Sequence, residues 1–379
     1  MELSRLRTEI DHIDTQMLDL FLSRMACAKE VAGYKAEHGL PVQNTARERE
    51  ILAWATEKSG DMERYTHRFF TTLFELSRSY QAALNAVPSK LRAHIDAALE
   101  RGRDAFPQTG TVACQGVEGA YSQMAADKLL PRGNIVYFKT FEAVFDAVER
   151  GLCQFGVLPI ENSSNGSVRA VYDLLQQKNV SIVRSARLYV KHELLAKPGT
   201  RPEDITEIYS HEQALGQCSG YLKGLGDRVK VIPCDNTAAA AKLAAEGAQP
   251  GVAAISSHNC GRLYGLTPVC TDIQNSDNNY TRFICIAKEP VTYPGANRIS
   301  LILACEHKPG ALYGVLAHLA ALGVNIMKLE SCPIAGHDFE FMFFLEMEAS
   351  VTDPRTVSML EALERSCEQL FYLGNYLEV

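Results

Sequence analysis

A cation interrupts an apolar helical stripe near the start of the chain. Leu3, Leu6, Ile10, Ile13, Met17, Leu20, Arg24, Cys27, Val31 and Tyr34 recur at alternating spacings of three and four, which is one continuous helical seam. A guanidinium buried in such a seam is expensive without an anion beside it. Either an acidic residue of a facing helix supplies that anion, as a structural ion pair, or a bound ligand does. Arg7 lies one turn beyond Leu3, and Lys35 and Arg47 flank the turn at Pro41. Four cations on elements that must pack together suggest a pocket for a small dianion, because arginine forks suit carboxylates.

A second group of chemistry-bearing residues lies in the middle of the chain. Gly119-Ala120-Tyr121-Ser122 is a glycine turn feeding a helix, whose first N–H groups can meet an anion. VLPIENSSNGSV (157–168) opens a buried strand into a polar loop through Glu161 and Asn162. YSHEQALGQC (209–218) carries Ser210, His211 and Gln217 from a strand into a helix start. NYTRF (279–283) brings Thr281 and Arg282 to the tip of a strand. Each motif alone reads equally well as turn and cap chemistry. Together they put hydroxyls, amides, a carboxylate and an imidazole where open α/β sheets bind ligands. Arg282 in a structural ion pair, and His211 as a hydrogen-bonded structural histidine, are the alternatives.

The elements that must hold these residues fall into three textures. The first 86 residues read as all helix: the seam ends near Gly39-Leu40-Pro41, Thr45-Ala46-Arg47-Glu48 has the pattern of a capping box, and residues 62–86 form a third helix. A helix spanning the seam is about 50 Å long and needs a partner along its length, so a homodimer or higher homo-oligomer is expected. Residues 87–109 read as a charged linker with one solvated helix. From 110 to 290, short β-rich runs alternate with helical ones, as in an α/β sheet with mostly parallel strands. From 297 to 379 the order is strand, helix, strand, strand, helix, strand, a ferredoxin-like α+β unit.

Bulk composition excludes several classes. With 38 basic and 45 acidic residues among 379, the formal charge is −7, so nothing attracts nucleic acid or an anionic membrane. No run approaches a membrane span, and the polar first residues lack the apolar core of a signal peptide. The eleven cysteines are scattered without a C-x-x-C, which reads as reduced thiols in a cytoplasmic protein with neither a zinc site nor a disulfide framework.

The motifs also carry resemblances. LSRLRTEIDHIDTQMLDLFLSR, KEVAGYK, ARERE and ELSRSYQ resemble the AroQ-type chorismate mutase domain, an intertwined helical dimer. That likeness implies substrate contacts at Arg7 (reaching the other subunit's site), Arg24, Lys35, Arg47, Glu48, Ser77 and Gln81. Lys35 and Gln81 would donate to the breaking ether oxygen and Glu48 would accept from the ring hydroxyl, although the capping box competes for Glu48. The sequence departs from that family at Asn44, where Asp is common. Residues 111–286 resemble prephenate dehydratase, a two-lobed α/β domain with its site in the cleft. The likeness implies a site of Glu161, Asn162, Ser210, His211, Gln217, Thr281 and Arg282, with Thr281 assisting departure of the ring hydroxyl. Residues 298–377 resemble an ACT domain, implying a phenylalanine site at Gly310, Ala311 and Leu312 with Glu330 and Ser331; the usual ESRP reads Glu330-Ser331-Cys332-Pro333.

The expectation is a bifunctional enzyme converting chorismate to prephenate and prephenate to phenylpyruvate, inhibited by phenylalanine, with no metal or organic cofactor. Arogenate as the second substrate, one silent site, and a non-catalytic binding protein are the alternatives.

Overall fold

The computed structural model describes residues 2–84, 89–102, 105–247, 251–333 and 341–379. The chain divides into two compact units, Met1–Ala93 with Ser358–Ser366, and His94–Val357 with Cys367–Val379.

In the first unit the seam forms one helix, Glu2–Glu37, followed by Thr45–Lys58 and Glu63–Leu84. The last of these packs against both others. The first helix stops as its sequence demands. Gly39 takes φ +61°, Leu40 N–H donates to the Lys35 carbonyl at 2.9 Å and Gly39 N–H to that of Ala36 at 3.4 Å. This is a Schellman closure, and Pro41 follows it. Small residues make the close contacts: Ala28, Ala32 and Ala55 are buried, with Phe74. The seam itself is largely uncovered within one chain; Leu3 is 63% exposed and Leu20 71%. The capping-box expectation is corrected here. The cap is Asn44, whose side chain accepts from Arg47 N–H at 3.1 Å, and Glu48 turns to Arg78 instead.

The α/β region holds two mixed sheets. The first runs Arg132–Phe138, Thr109–Gln115, Phe155–Asn162, Tyr280–Ala287, Ser181–Tyr189, with the short Gly166–Ser167 strand on Phe155–Asn162. Its first three strands are parallel, as the alternating pattern predicts, but Tyr280–Ala287 is antiparallel to both neighbours. The second runs Thr267–Cys270, Glu193–Ala196, Val252–Ser256, Glu207–His211, Lys230–Cys234, with only its last three strands parallel. The antiparallel strands are where the chain passes between lobes: it leaves through residues 190–192 and returns through 271–279. These two crossovers are tied together, since His192 N–H donates to Gln274 Oε1 at 3.1 Å and Val190 N–H to the Asn279 carbonyl at 2.8 Å.

The C-terminal elements follow the expected strand–helix–strand–strand–helix–strand order. Their four-stranded antiparallel sheet runs Asn325–Pro333, Phe341–Glu348, Arg298–Ala304, Gln369–Tyr376. This sheet shares a core with the first lobe: Ile302, Phe344 and Leu373 belong to one buried cluster with Leu158, Ile160 and Tyr172. The linker helix, Lys90–Glu100, is not solvated. Ile95 and Ala98 are buried, and the Ala98 carbonyl accepts from Thr292 N–H at 3.0 Å. Its apolar stripe was masked in the sequence by the charges on its other faces.

Candidate active sites

In the helical unit, polar groups gather on the faces of helices Glu2–Glu37 and Glu63–Leu84. Arg24 is half-buried; its guanidinium lies over the Phe74 ring, 5.7 Å from the centroid, and Nη1 is buried without a hydrogen-bond partner. Burial pulls its pKa down from the ordinary value. Gln81 and Ser77 are buried on the third helix; Gln81 Nε2 donates to Ser77 Oγ at 3.3 Å, and Gln81 Oε1 is buried and unpartnered. Buried polar groups of this kind are rare in a protein interior, and they mark these helix faces as a candidate site. Lys35 Nζ donates to the Val42 carbonyl at 2.5 Å, which ties it to the turn. Arg7 is exposed, and Arg47 is exposed and paired with Glu50 at 3.0 Å. Glu48 accepts from Arg78 Nη1 at 2.6 Å on both oxygens. Arg78 escaped the sequence reading because it sits among the polar residues of ELSRSYQ.

The α/β unit contains a cavity of about 360 Å³ at the two crossovers. Six amides line it, Asn165, Gln213, Gln217, Gln274, Asn275 and Asn279, with Ser164, Ser276 and Gly216. One hydrogen-bonded chain connects the lining to the NYTRF strand, and donor logic fixes each member. The backbone N–H groups of Ser164 and Asn165 both donate to Asn162 Oδ1 at 3.0 Å, so the Asn162 NH₂ must face the other way. It donates to Asn279 Oδ1 and to Thr281 Oγ, each at 2.9 Å. Thr281 is thereby an acceptor toward Asn162, and its own proton is free to donate elsewhere. Asn279 Nδ2 donates onward to Gln217 Oε1 at 2.9 Å. His192 Nε2 contacts the same oxygen at 2.8 Å; an amide oxygen only accepts, so His192 is the Nε2–H tautomer. Burial lowers the His192 pKa against the opposing pull of Gln217, so the ring is neutral near pH 7. With Oε1 doubly bound, the Gln217 NH₂ group is left for the cavity.

Four expected residues lie elsewhere. Ser210 is fully buried and donates to the Ile255 carbonyl at 2.7 Å, a strand-to-strand tie. His211 Nδ1 accepts from Gln213 N–H at 3.3 Å as the cap of helix Glu212–Gln217. Arg282 is buried and committed to protein carboxylates, with Nη1 2.6 Å from Glu346 and Nη2 2.8 Å from Glu161. Burial alone would lower its pKa; Glu346 and the other partners reverse that and raise it. Arg282 and Glu161 thus form a structural ion pair, the alternative that the sequence left open. The Gly119 turn is also structural: its N–H donates to Gln123 Oε1 at 2.6 Å, and a Cβ there would meet Cys260 Sγ of the other lobe at 3.0 Å. Conversely, the sequence missed His192, Gln274 and Asn275. Asn165, Gln213 and Asn279 carried a signal only as members of the motifs at 157–168, 209–218 and 279–283.

In the C-terminal sheet, Gly310 takes φ +88° and caps the helix Ala311–Ala321, with Leu312 in its first turn. Glu330 and Ser331 lie on strand Asn325–Pro333. Glu330 accepts from Ser167 Oγ and pairs with Lys328 at 3.1 Å; these partners, joined by Arg169, outweigh burial and lower its pKa. Among the described residues no disulfide joins the cysteines, and no helix is long and apolar enough to cross a membrane.

A helical unit with an unpaired arginine and a two-lobed α/β unit with an amide-lined cleft define a multidomain enzyme of small polar substrates. Comparison with known proteins makes this specific. Residues 6–82 match the chorismate mutase type II family and residues 112–291 the prephenate dehydratase family. The bifunctional chorismate mutase/prephenate dehydratase of Enterobacter agglomerans is 31% identical over 98% of this chain and 95% of its own. Arogenate dehydratase/prephenate dehydratase 2 of Arabidopsis thaliana is 40% identical over 70% of this chain and 72% of its own. The crystal structure of prephenate dehydratase from Arthrobacter aurescens in complex with L-Phe superposes with a TM-score of 0.64 at 27% identity, covering 70% of this chain and 89% of that one. The chain belongs to the bifunctional chorismate mutase/prephenate dehydratase family. It carries both enzyme domains, and its pathway is phenylalanine biosynthesis.

Proposed function

We propose that residues 1–86 rearrange chorismate to prephenate, that residues 110–290 convert prephenate to phenylpyruvate, and that residues 297–379 sense phenylalanine. The observation that carries the mutase reading is the pair of orphaned groups, Arg24 Nη1 and Gln81 Oε1, beside a seam left bare within one chain. A pericyclic rearrangement needs no nucleophile. It needs a folded dianion held in place and charge stabilised on the ether oxygen. Arg24 would bind a carboxylate, Lys35 and Gln81 the ether oxygen, and Glu48 the ring hydroxyl. Arg7 of a second chain would complete the site, so the working form is at least a dimer.

In the dehydratase the Thr281 O–H, freed by Asn162, donates a hydrogen bond to the ring oxygen. The C–O bond of that oxygen breaks as the electrons of the departing carboxylate, lost as carbon dioxide, aromatise the ring. The oxygen leaves as water with a proton drawn ultimately from solvent, and Thr281 keeps its own. Gln217, Asn279 and the other amides orient the substrate in a neutral cleft. Aromatisation supplies the driving force. The Arabidopsis relative, whose name includes arogenate, supports arogenate as an additional substrate, less strongly than the full-length bifunctional relative supports prephenate. Phenylalanine regulation is supported by the L-Phe complex of the Arthrobacter enzyme and by the Gly310 helix start. Cysteines without disulfides fit a cytoplasmic setting.

The decisive experiment incubates the purified chain with chorismate and separates products before any acid, which would itself convert prephenate to phenylpyruvate. Transient prephenate followed by phenylpyruvate is expected. Prephenate alone would overturn the dehydratase assignment and direct the test to arogenate; unchanged chorismate would overturn the mutase assignment. Titrating phenylalanine against the dehydratase rate tests the third module, and no inhibition at millimolar ligand would remove it.

A further inference from the structure

Asn162 lies in a hairpin. Strand Phe155–Asn162 turns back through residues 163–165 into Gly166–Ser167, pairing Glu161 with Ser167 and Asn162 with Gly166. The tip lines the cavity through Ser164 and Asn165, and its backbone N–H groups set the orientation of the Asn162 amide. Its first strand and Ser163 are also bonded to the Tyr280–Ala287 strand and the residues before it, so the return strand Gly166–Ser167, with only two cross-strand pairs, is the part with least support of its own. A cation from outside holds its base. Lys328 Nζ, from the edge strand of the C-terminal sheet, lies 3.0 Å from Glu161 Oε1 and 2.6 Å from Ser167 Oγ, so it clamps both members of one cross-strand pair.

Every partner of this ammonium is itself fixed. Glu161 gives its other oxygen to Arg282 at 2.8 Å. Ser167 donates to Glu330, which pairs with Lys328 at 3.1 Å. Tyr172 Oη lies 3.1 Å from the ammonium, and the rings of Tyr172 and Phe344 flank it at 5.5 and 5.8 Å. The side chain is only 13% exposed.

We propose that Lys328 is a positioning residue for the dehydratase: it holds the hairpin that aims Asn162 at Thr281. It touches no substrate. It acts through Glu161 and Ser167, so the C-terminal sheet is part of the catalytic framework. The inference rests on the dehydratase reading above.

The test uses the full chain and measures dehydratase kcat and KM with prephenate, and the mutase rate on the same sample. Lys328→Met keeps the aliphatic stem against the rings and removes the clamp. Its kcat is expected to fall about tenfold to hundredfold, the scale of a small misplacement of a reacting group. KM should change much less, the mutase rate should stay unchanged, and Lys328→Arg should recover part of the loss. Ser167→Ala, which cuts one arm of the clamp, should give a smaller fall in kcat; it carries the test if Lys328→Met does not fold. A folded Lys328→Met or Ser167→Ala chain with wild-type kcat overturns the proposal, as does a loss confined to KM. A wild-type chain that leaves prephenate unchanged would instead overturn the reading on which the proposal rests.

Discussion

Both units bury unpartnered polar atoms, His192 Nδ1 and Gln274 Nε2 in the α/β unit among them, but they differ in how far the polar groups around them are bonded to one another. In the first, Arg24 Nη1 and Gln81 Oε1 are buried with nothing to bond, and the seam that should cover them is bare. In the second, Asn162, Asn279, Gln217 and His192 are bonded to one another in a chain that leaves chosen protons free. On the reading proposed above, the first site is completed only by a ligand and a second chain. The second has the Asn162–Asn279–Gln217–His192 chain already in place, so its geometry is largely preorganised. The difference predicts that damage in the two units will look different.

The largest effect should come from Thr281→Ala. Removing the donor is expected to lower dehydratase kcat by about 10²–10⁴-fold, with the mutase rate in the same sample intact. If both rates fell in a folded chain, the two-site reading would fail. Next is Arg24→Ala, expected to cost the mutase about 10²–10³-fold while prephenate turnover persists. The contrast sharpens on dilution: mutase specific activity should fall as the seam-to-seam contact dissociates, whereas dehydratase activity should hold. Equal concentration dependence of both activities would mean that the dehydratase is not self-contained.

The two regions were also unequally legible. Arg24 announced itself because a cation in an apolar stripe is an energetic anomaly, visible at helical spacing without any structure. The dehydratase cleft has no such anomaly. Its lining is neutral amide, which in sequence looks like ordinary loop, and His192 stands in VKHELL without a motif. Charged residues drew attention instead: Glu161 pairs with Lys328 and Arg282, and Arg282 with Glu161 and Glu346. The Glu346 carboxylate comes from a strand 64 residues away from Arg282, a pairing that only the fold reveals. The strand–helix alternation was legible, but the antiparallel crossover strands were not, since nothing local distinguishes a strand that changes lobes.

A smaller effect concerns acid. Burial depresses the His192 pKa below its ordinary 6.5, so the unfolded chain binds the proton that the folded chain refuses. Stability from this residue is therefore complete above about pH 6.5 and declines as pH falls through the window beneath it. Protonation would also put a second N–H on Nδ1, which is buried and has no acceptor. Thermal midpoints measured by loss of dehydratase activity should drop on acidification, and His192→Gln should flatten that slope. An unchanged slope in the variant would assign the acid sensitivity to other groups.

The smallest expected effect separates a local role from a catalytic one at Asn44. Its side chain caps the second helix through Arg47 N–H, and Asn and Asp are nearly equal as caps. Asn44→Ala should therefore cost about 1 kcal/mol of stability, read as a modest drop in the denaturant midpoint. Asn44→Asp should leave the midpoint almost unchanged. The mutase rate then discriminates: if Asn44 serves only the helix, Asn44→Asp and wild type turn over chorismate alike. A several-fold gain in Asn44→Asp would mean that the position faces substrate and that a carboxylate is worth having there, even in a pocket otherwise organised around cations. That outcome would make the helical site more preorganised than its orphaned groups suggest, and would narrow the contrast between the two units.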